Sequence, residues 1–203
     1  MTHESAYKLL LNVYEKLQGW CSEEKSKYLF DLVVDTKPNL IVEIGIYRGK
    51  SLASFSAASL LLEKCKVIGI DSYNLNDIII NQEIKETFVT QQELNESKRI
   101  MLDTFNNFNL PVCFIEKSSV NAYYDDNFKI NSLIDILHID ASHTEEDSVI
   151  DTLLWLPRIK SGGFLIYDDA NWESLKTAQT FALKKCKHVI YLEDGKTRVL
   201  QKL

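Results

Sequence analysis

Apolar positions change period along the chain. Tyr7, Leu10, Leu11, Tyr14 and Leu17 recur at helical spacing and stop at Gly19. Ser22 then precedes a second helical pattern, Tyr28, Leu29, Leu32 and Val33, which ends before Pro38. From Leu40 onward, short apolar runs alternate with helical stretches. Residues 40–46, 67–71, 112–116, 133–140 and 163–167 read as buried strands, and the alternation predicts a parallel sheet with right-handed crossovers. The helix after Gly49 places Leu52, Phe55, Ser59 and Leu62 on one face, with Ala53, Ala57 and Ala58 allowing close approach to the sheet. Ser142 and Glu145 are spaced as a capping box, so a helix is predicted directly after Asp140, ending before Gly162-Gly163 and putting His143 in its first turn. A helix over 172–185 follows. Strands at 188–192 and 197–200 then flank Asp194-Gly195, a hairpin turn signal, so the sheet ends in an antiparallel pair.

The longest interval between strands, 72–111, keeps helical spacing at Leu94, Met101, Phe105 and Phe108. It predicts a helical insertion, serving either as a lid over the strand tips or as a plain crossover helix with a ragged entry loop. No Pro/Gly/Ser-rich linker divides the chain, which is read as one domain over 1–203: a helical extension over 1–37 and a core over 38–203. The two extra helices are expected to pack on the sheet edge, the alternatives being the substrate mouth or a subunit contact.

Composition narrows the function classes. With 45% hydrophobic and 26% charged residues the chain is neither disordered nor collagen-like. Net charge is -6 and no Lys/Arg cluster stands out, so nucleic acid is not an expected partner. Met1-Thr2-His3-Glu4-Ser5 lacks the basic start of a targeting segment, and no run approaches the ~18 apolar residues of a membrane span; a cytoplasmic protein without a membrane partner is expected. Cys21, Cys65, Cys113 and Cys186 are dispersed and show no zinc spacing, so buried reduced thiols are expected.

Candidate chemistry gathers at strand ends. Leu137 to Asp169 opens with Leu137-His138-Ile139-Asp140-Ala141-Ser142-His143 and closes with Phe164-Leu165-Ile166-Tyr167-Asp168-Asp169. Ligands of open α/β sheets sit beyond the carboxyl ends of the strands, so Asp140, His143, Asp168 and Asp169 are placed to converge on one cleft. A solvated helix cap is the alternative for Asp168-Asp169 alone. Upstream, Glu43-Ile44-Gly45-Ile46-Tyr47-Arg48-Gly49-Lys50-Ser51 follows the first strand. Gly45 permits a tight turn and a close ligand, and Gly49 seats the helix. One glycine of the dinucleotide fingerprint is missing, and Glu43 would repel a pyrophosphate but hold an amine, which indicates a zwitterionic ligand. Asp71 ends the second strand, where a carboxylate can take ribose hydroxyls. Ser118-Ser119 could meet an adenine edge or simply cap the next short helix. His138 reads as a core histidine.

The order Glu43-x-Gly45-x-x-x-Gly49-x-Ser51, Asp71, Asp140-x-x-His143, Gly162-Gly163 and Asp168-Asp169 resembles class I S-adenosylmethionine-dependent methyltransferases. It is most similar to methyltransferase family 24, the macrocin/mycinamicin O-methyltransferase and cephalosporin-hydroxylase-like group, over residues 38–200. The resemblance implies a Rossmann-like, doubly wound seven-stranded α/β sheet in the order 3-2-1-4-5-7-6. It implies that Glu43, Gly45, Tyr47, Gly49 and Ser51 surround the methionine part of S-adenosylmethionine, with Asp71 at the ribose and Ser118 or Ser119 at adenine. Asp140, Asp168 and Asp169 match a divalent metal site, usually Mg²⁺, and His143 matches the general base. Three acids suit a hard, oxygen-seeking ion, which would acidify a bound hydroxyl so that a histidine can take its proton.

The expected activity is therefore O-methylation of a small molecule such as a sugar, diol or catechol. The alternatives are a nicotinamide-dependent oxidoreductase and a non-catalytic cofactor-binding module. Assembly into a homo-oligomer is left open.

Overall fold

The computed structural model describes residues 1–77, 90–126 and 132–203. In chain order the main elements are α1 (His3–Tyr14), α2 (Glu23–Thr36), β1 (Leu40–Ile44), α3 (Lys50–Ser59) and β2 (Lys66–Asp71). They continue with α4 (Gln91–Asn107), β3 (Cys113–Glu116), α5 (Ser119–Tyr123), β4 (Ile134–Ile139) and α6 (Glu145–Trp155). The last are β5 (Ile159–Tyr167), α7 (Lys176–Leu183), β6 (Cys186–Leu192) and β7 (Thr197–Lys202). The strands form a seven-stranded sheet in the order β3-β2-β1-β4-β5-β7-β6, the Rossmann-like order expected. Pairings from β3 to β5 are parallel, and β7 is antiparallel to both β5 and β6.

Every residue of β1 and of β4 is buried, because helices cover both faces of a parallel sheet and leave no solvent side for an alternating pattern. One face packs Ile41, Ile136 and Ile166 with Leu10, Val13, Leu29, Phe30, Leu52 and Phe55 of α1 to α3, and with Met101 and Phe105 of α4. The other packs Val42, Leu137, Leu165 and Tyr167 with Trp155 of α6 and Ala178 and Ala182 of α7. The two amino-terminal helices thus lie over α3 on one face rather than along the sheet edge. Ser22 caps α2 by accepting from the Lys25 N–H, and Ser26 and Ser54 hydroxyls, 2.8 Å apart, tie α2 to α3.

Within 72–111, α4 is a crossover helix between β2 and β3, started by a capping box of Thr90 and Glu93. Residues 78–89, on which the lid expectation largely falls, lie outside the described residues.

Two local expectations are corrected. Gly162-Gly163 lies inside β5, which begins at Ile159. Ile134 pairs with Ile159 but Ile136 with Phe164, so extra β5 residues form a bulge there. A Cβ on Gly163 would come within 2.9 Å of the Asp135 carbonyl oxygen, so the bulge rather than a helix end requires the glycine. The cap of α6 is Thr144, whose hydroxyl accepts from the Asp147 N–H and pairs with the Asp147 carboxylate at 2.8 Å. The Ser142 hydroxyl accepts from the Thr144 N–H in a turn, so His143 precedes the helix instead of riding in its first turn. Among the described residues no helix is long and apolar enough to cross a membrane.

Candidate functional site

The strand tips are locked to each other just beyond the sheet. Gly45 N–H donates to Ile70 O at 2.9 Å, Asp140 N–H to Ile44 O at 2.8 Å, and Asp168 N–H to Ile139 O at 3.0 Å. Each ladder therefore runs one residue further, and Gly45, Asp140 and Asp168 stand in a row. Gly45 has φ 84°, and a Cβ there would fall 1.9 Å from Asp140 O and 2.7 Å from Ala141 Cα. Its glycine is required by the backbone of the next strand tip as well as by the turn.

Glu43 sits at the base of the β1–α3 loop, wholly buried. Its Oε1 accepts from the Ser51 hydroxyl at 2.5 Å and lies 3.4 Å from Nδ1 of the equally buried His138. Glu43 Oε2 and both ring nitrogens of His138 have no hydrogen-bond partner among the described residues. Asp71 holds the loop above: Oδ2 accepts from the N–H groups of Ile46 and Tyr47, both at 2.8 Å, and Oδ1 from that of Tyr73 at 2.9 Å. Tyr47, at φ 50°, is pinned by the Tyr73 hydroxyl on its carbonyl and stacked by Trp20 at 5.4 Å. Gly49, at φ 76°, begins α3, and a Cβ there would meet Met101 Cγ of α4 at 2.6 Å.

Ser118 and Ser119 are otherwise engaged. Ser118 caps α5 through the Asn121 N–H, and the Ser119 hydroxyl donates to Asp151 of α6. The capping alternative holds for Ser118, whose hydroxyl serves there as an acceptor.

On the acid-bearing side, His143 Nε2 is 2.7 Å from Asp169 Oδ2, and the ring lies against Trp172 with centroids 4.7 Å apart. Asp140, His143 and Asp169 each present a donor atom within 4.8 Å of the others. Asp168 turns elsewhere. Its Oδ1 is 2.8 Å from Lys25 Nζ and 3.0 Å from the Thr197 hydroxyl, and the same ammonium is 3.7 Å from Asp140 Oδ2. Asp169 thus pairs with His143 and Asp168 with Lys25, while Asp140 lies between them, within donor distance of Asp169 and hydrogen-bonded to Asp168. A second buried grouping, Glu43, His138 and Asp140, also brings donor atoms within 4.8 Å.

Lys25 escaped the sequence reading, although it carries a signal. It lies four residues before Leu29 and eight before Val33, on the apolar stripe of α2, and is 1% exposed. A lysine on a buried stripe needs a counter-charge.

The electrostatics follow from this packing. Burial alone would lower the Lys25 pKa, but Asp140 and Asp168 outweigh it and hold the ammonium above its usual range. Burial pushes the Asp168 carboxyl up, yet Lys25, with His138 nearby, reverses that and brings it down to about 2. Asp140 is raised well above the usual carboxylate value by burial first and by the Asp168 charge second, with Lys25 only partly opposing. The two acids share one ammonium and are pushed in opposite directions by it and by each other. Cys21, beside them, is raised to about 12 by burial and stays a thiol.

A cavity of about 650 Å³ is lined by Ala170 and Asn171, by Glu24 at the start of α2, and by residues 191–195 between β6 and β7; none of the clustered acids nor His143 lines it.

A family model described as a methyltransferase domain matches residues 42–170. Solved structures share the fold at low identity. The O-methyltransferase from Bacillus cereus, in complex with S-adenosylhomocysteine (SAH), aligns at TM-score 0.66 and 14% identity over 100% of this chain and 93% of its own. The SAH-bound methyltransferase from Podospora anserina gives TM-score 0.66 and 11% identity over 100% and 97%. A calicheamicin methyltransferase gives 0.64 and 13% over 99% and 93%. No curated protein matches the chain.

Proposed function

The chain belongs to the methyltransferase-domain family, and from that premise we propose that it transfers a methyl group from S-adenosylmethionine to a hydroxyl of a small molecule, with His143 as general base. The observation that carries this is the meeting, across Gly45, of the Glu43–Ser51 loop and the Asp140–His143–Asp169 cluster.

For the donor, Glu43 supplies a buried carboxylate whose Oε2 lacks a partner, a fit for the ammonium of a methionine moiety. Asp71 keeps the loop in shape through three backbone N–H groups, and a carboxylate has acceptor capacity left over for ribose hydroxyls. Solved neighbours bind SAH, the product of such a donor.

For the acceptor, the His143–Asp169 pair defines the chemistry. With Nε2–H donated to Asp169, Nδ1 carries the lone pair and takes the hydroxyl proton as the oxygen attacks the sulfonium methyl. An O–CH₃ bond forms, the S–CH₃ bond breaks, and SAH leaves. Asp169 orients the ring and stabilises the imidazolium, and in-line positioning supplies most of the remaining acceleration. A hydroxylated acceptor such as a sugar, diol or catechol fits this chemistry, since it brings the hydroxyl that His143 deprotonates.

Metal assistance, expected from the resemblance, does not fit the donor set. Asp168 is held by Lys25 and Thr197, and Asp140 shares the same ammonium. An ion on Asp140, His143 and Asp169 would also take up the histidine that must accept the proton.

Calorimetry with SAH is the first test: micromolar binding is expected, and no heat at ligand concentrations of about 1 mM would sink the reading. SAH release with a panel of sugar, diol and catechol acceptors then measures turnover, which His143→Gln should lower by roughly 10²–10⁴-fold with SAH affinity unchanged.

A further inference from the structure

We infer that Lys25 is the resident cation of the acceptor site, a positioning residue that holds Asp140 and Asp168 together in place of a divalent ion and makes the transfer independent of added metal. The inference rests on the methyltransferase reading for its catalytic consequence, but the cation's place rests on geometry alone.

Two acids at neighbouring strand tips need a positive charge between them. Here the chain supplies it: Lys25 Nζ lies 2.8 Å from Asp168 Oδ1 and 3.7 Å from Asp140 Oδ2, with 1% of its side chain exposed. The ammonium is held closely by Asp168 and reaches Asp140 more loosely. It therefore acts as a charge placed between acids, as an ion would. The Thr197 hydroxyl closes the other side of Asp168.

The ammonium is built in. Lys25 lies in the first turn of α2, and that turn is tied down from three directions. Ser22 N–H donates to Glu193 at 3.3 Å, the Ser26 hydroxyl bonds Ser54 at 2.8 Å, and Leu29 and Phe30 are fully buried in the α1–α3 core. A divalent ion reaching Asp140 would have to share a carboxylate with a fixed, desolvated ammonium, and like charges at that range repel strongly where water is excluded. Removing the charge while keeping the stem should reopen the position to a hard cation, since two or three carboxylates are then left without one.

The test is a Mn²⁺ titration followed by electron paramagnetic resonance on the full chain, with SAH calorimetry in parallel. Wild type should leave the free Mn²⁺ signal unchanged up to about 1 mM, and a chelator should not change its turnover. Lys25→Met should gain Mn²⁺ binding by at least roughly tenfold, and the added Asp168→Asn should remove it again. A purely structural ion pair would lower stability on Lys25→Met but create no metal site. Wild-type Mn²⁺ binding below 1 mM that is lost in Asp140→Asn overturns the inference, as does a folded Lys25→Met protein that still refuses Mn²⁺. If Lys25→Met does not fold, the wild-type titration decides, with Lys25→Arg required to stay as refractory as wild type. Failure of SAH binding would strike the methyltransferase reading and leave the Mn²⁺ result standing, so the two outcomes are separable.

Discussion

Asp151→Asn should stabilise the protein at neutral pH and leave it unchanged in acid. Asp151 lies in α6, 3% exposed, with Oδ1 accepting from the Ser119 hydroxyl. Burial pushes its pKa up to about 6; the Ser119 bond pulls the other way, and Asp147 adds a smaller push. An unfolded aspartate titrates near ~3.9, so the gap is about 2 units, and at 1.36 kcal/mol per unit the ionised carboxylate costs about 3 kcal/mol of folding stability. The sign follows from which state keeps its proton. Below about pH 4 both states hold it and the site contributes nothing. As pH rises toward 6 the unfolded chain releases its proton first, so stability falls, and above 6 the cost is complete. An asparagine cannot ionise and keeps a carbonyl oxygen for Ser119. Urea melts of wild type and variant at pH 4.5, 6 and 7.5 measure the difference, in which Asp140 and Asp168 are common to both proteins and cancel. The gap should widen from about 1 kcal/mol at pH 4.5 to about 3 kcal/mol at pH 7.5, several degrees in Tm for a chain of this size. A difference that does not vary with pH, or a variant less stable throughout, would refute the argument.

Gly45→Ala should cost more than about 3 kcal/mol and abolish SAH binding, because a Cβ at φ 84° costs about 1–2 kcal/mol and also strikes the Asp140 backbone at 1.9 Å. A loss under about 1 kcal/mol in urea melts would show that the strand tips can part. Thr144→Ala removes the α6 cap and should cost about 1 kcal/mol in thermal denaturation while leaving SAH affinity intact; no loss at all would place the cap elsewhere.

Much of the architecture was legible because it is written in local pattern. Apolar runs bounded by turn residues marked every strand, and the Asp194-Gly195 turn marked the antiparallel end, where Glu193, Asp194 and Gly195 all take positive φ. Local capping chemistry was less readable. Ser142-x-x-Glu145 and Thr144-x-x-Asp147 are overlapping cap signals one turn could satisfy in either way, and the hydrogen bond from Thr144 N–H to Ser142 decided between them. The Gly162-Gly163 pair carried the same ambiguity between a helix end and a strand bulge, settled by the register of β5 on β4.

The sequence by itself determined the succession of strands and helices, and that Glu43, Gly45, Asp140, His143, Asp168 and Asp169 lie at the carboxyl ends of strands on one side of the sheet, because strand–helix alternation sets which ends point the same way. Only the tertiary structure decided how those groups divide. Asp169 went to His143 and Asp168 to Lys25, a residue 143 positions away in sequence whose charge is tolerated on a buried stripe only because two carboxylates wait there. Pairing across such a distance is set by where α2 packs over α3, and no local spacing encodes it.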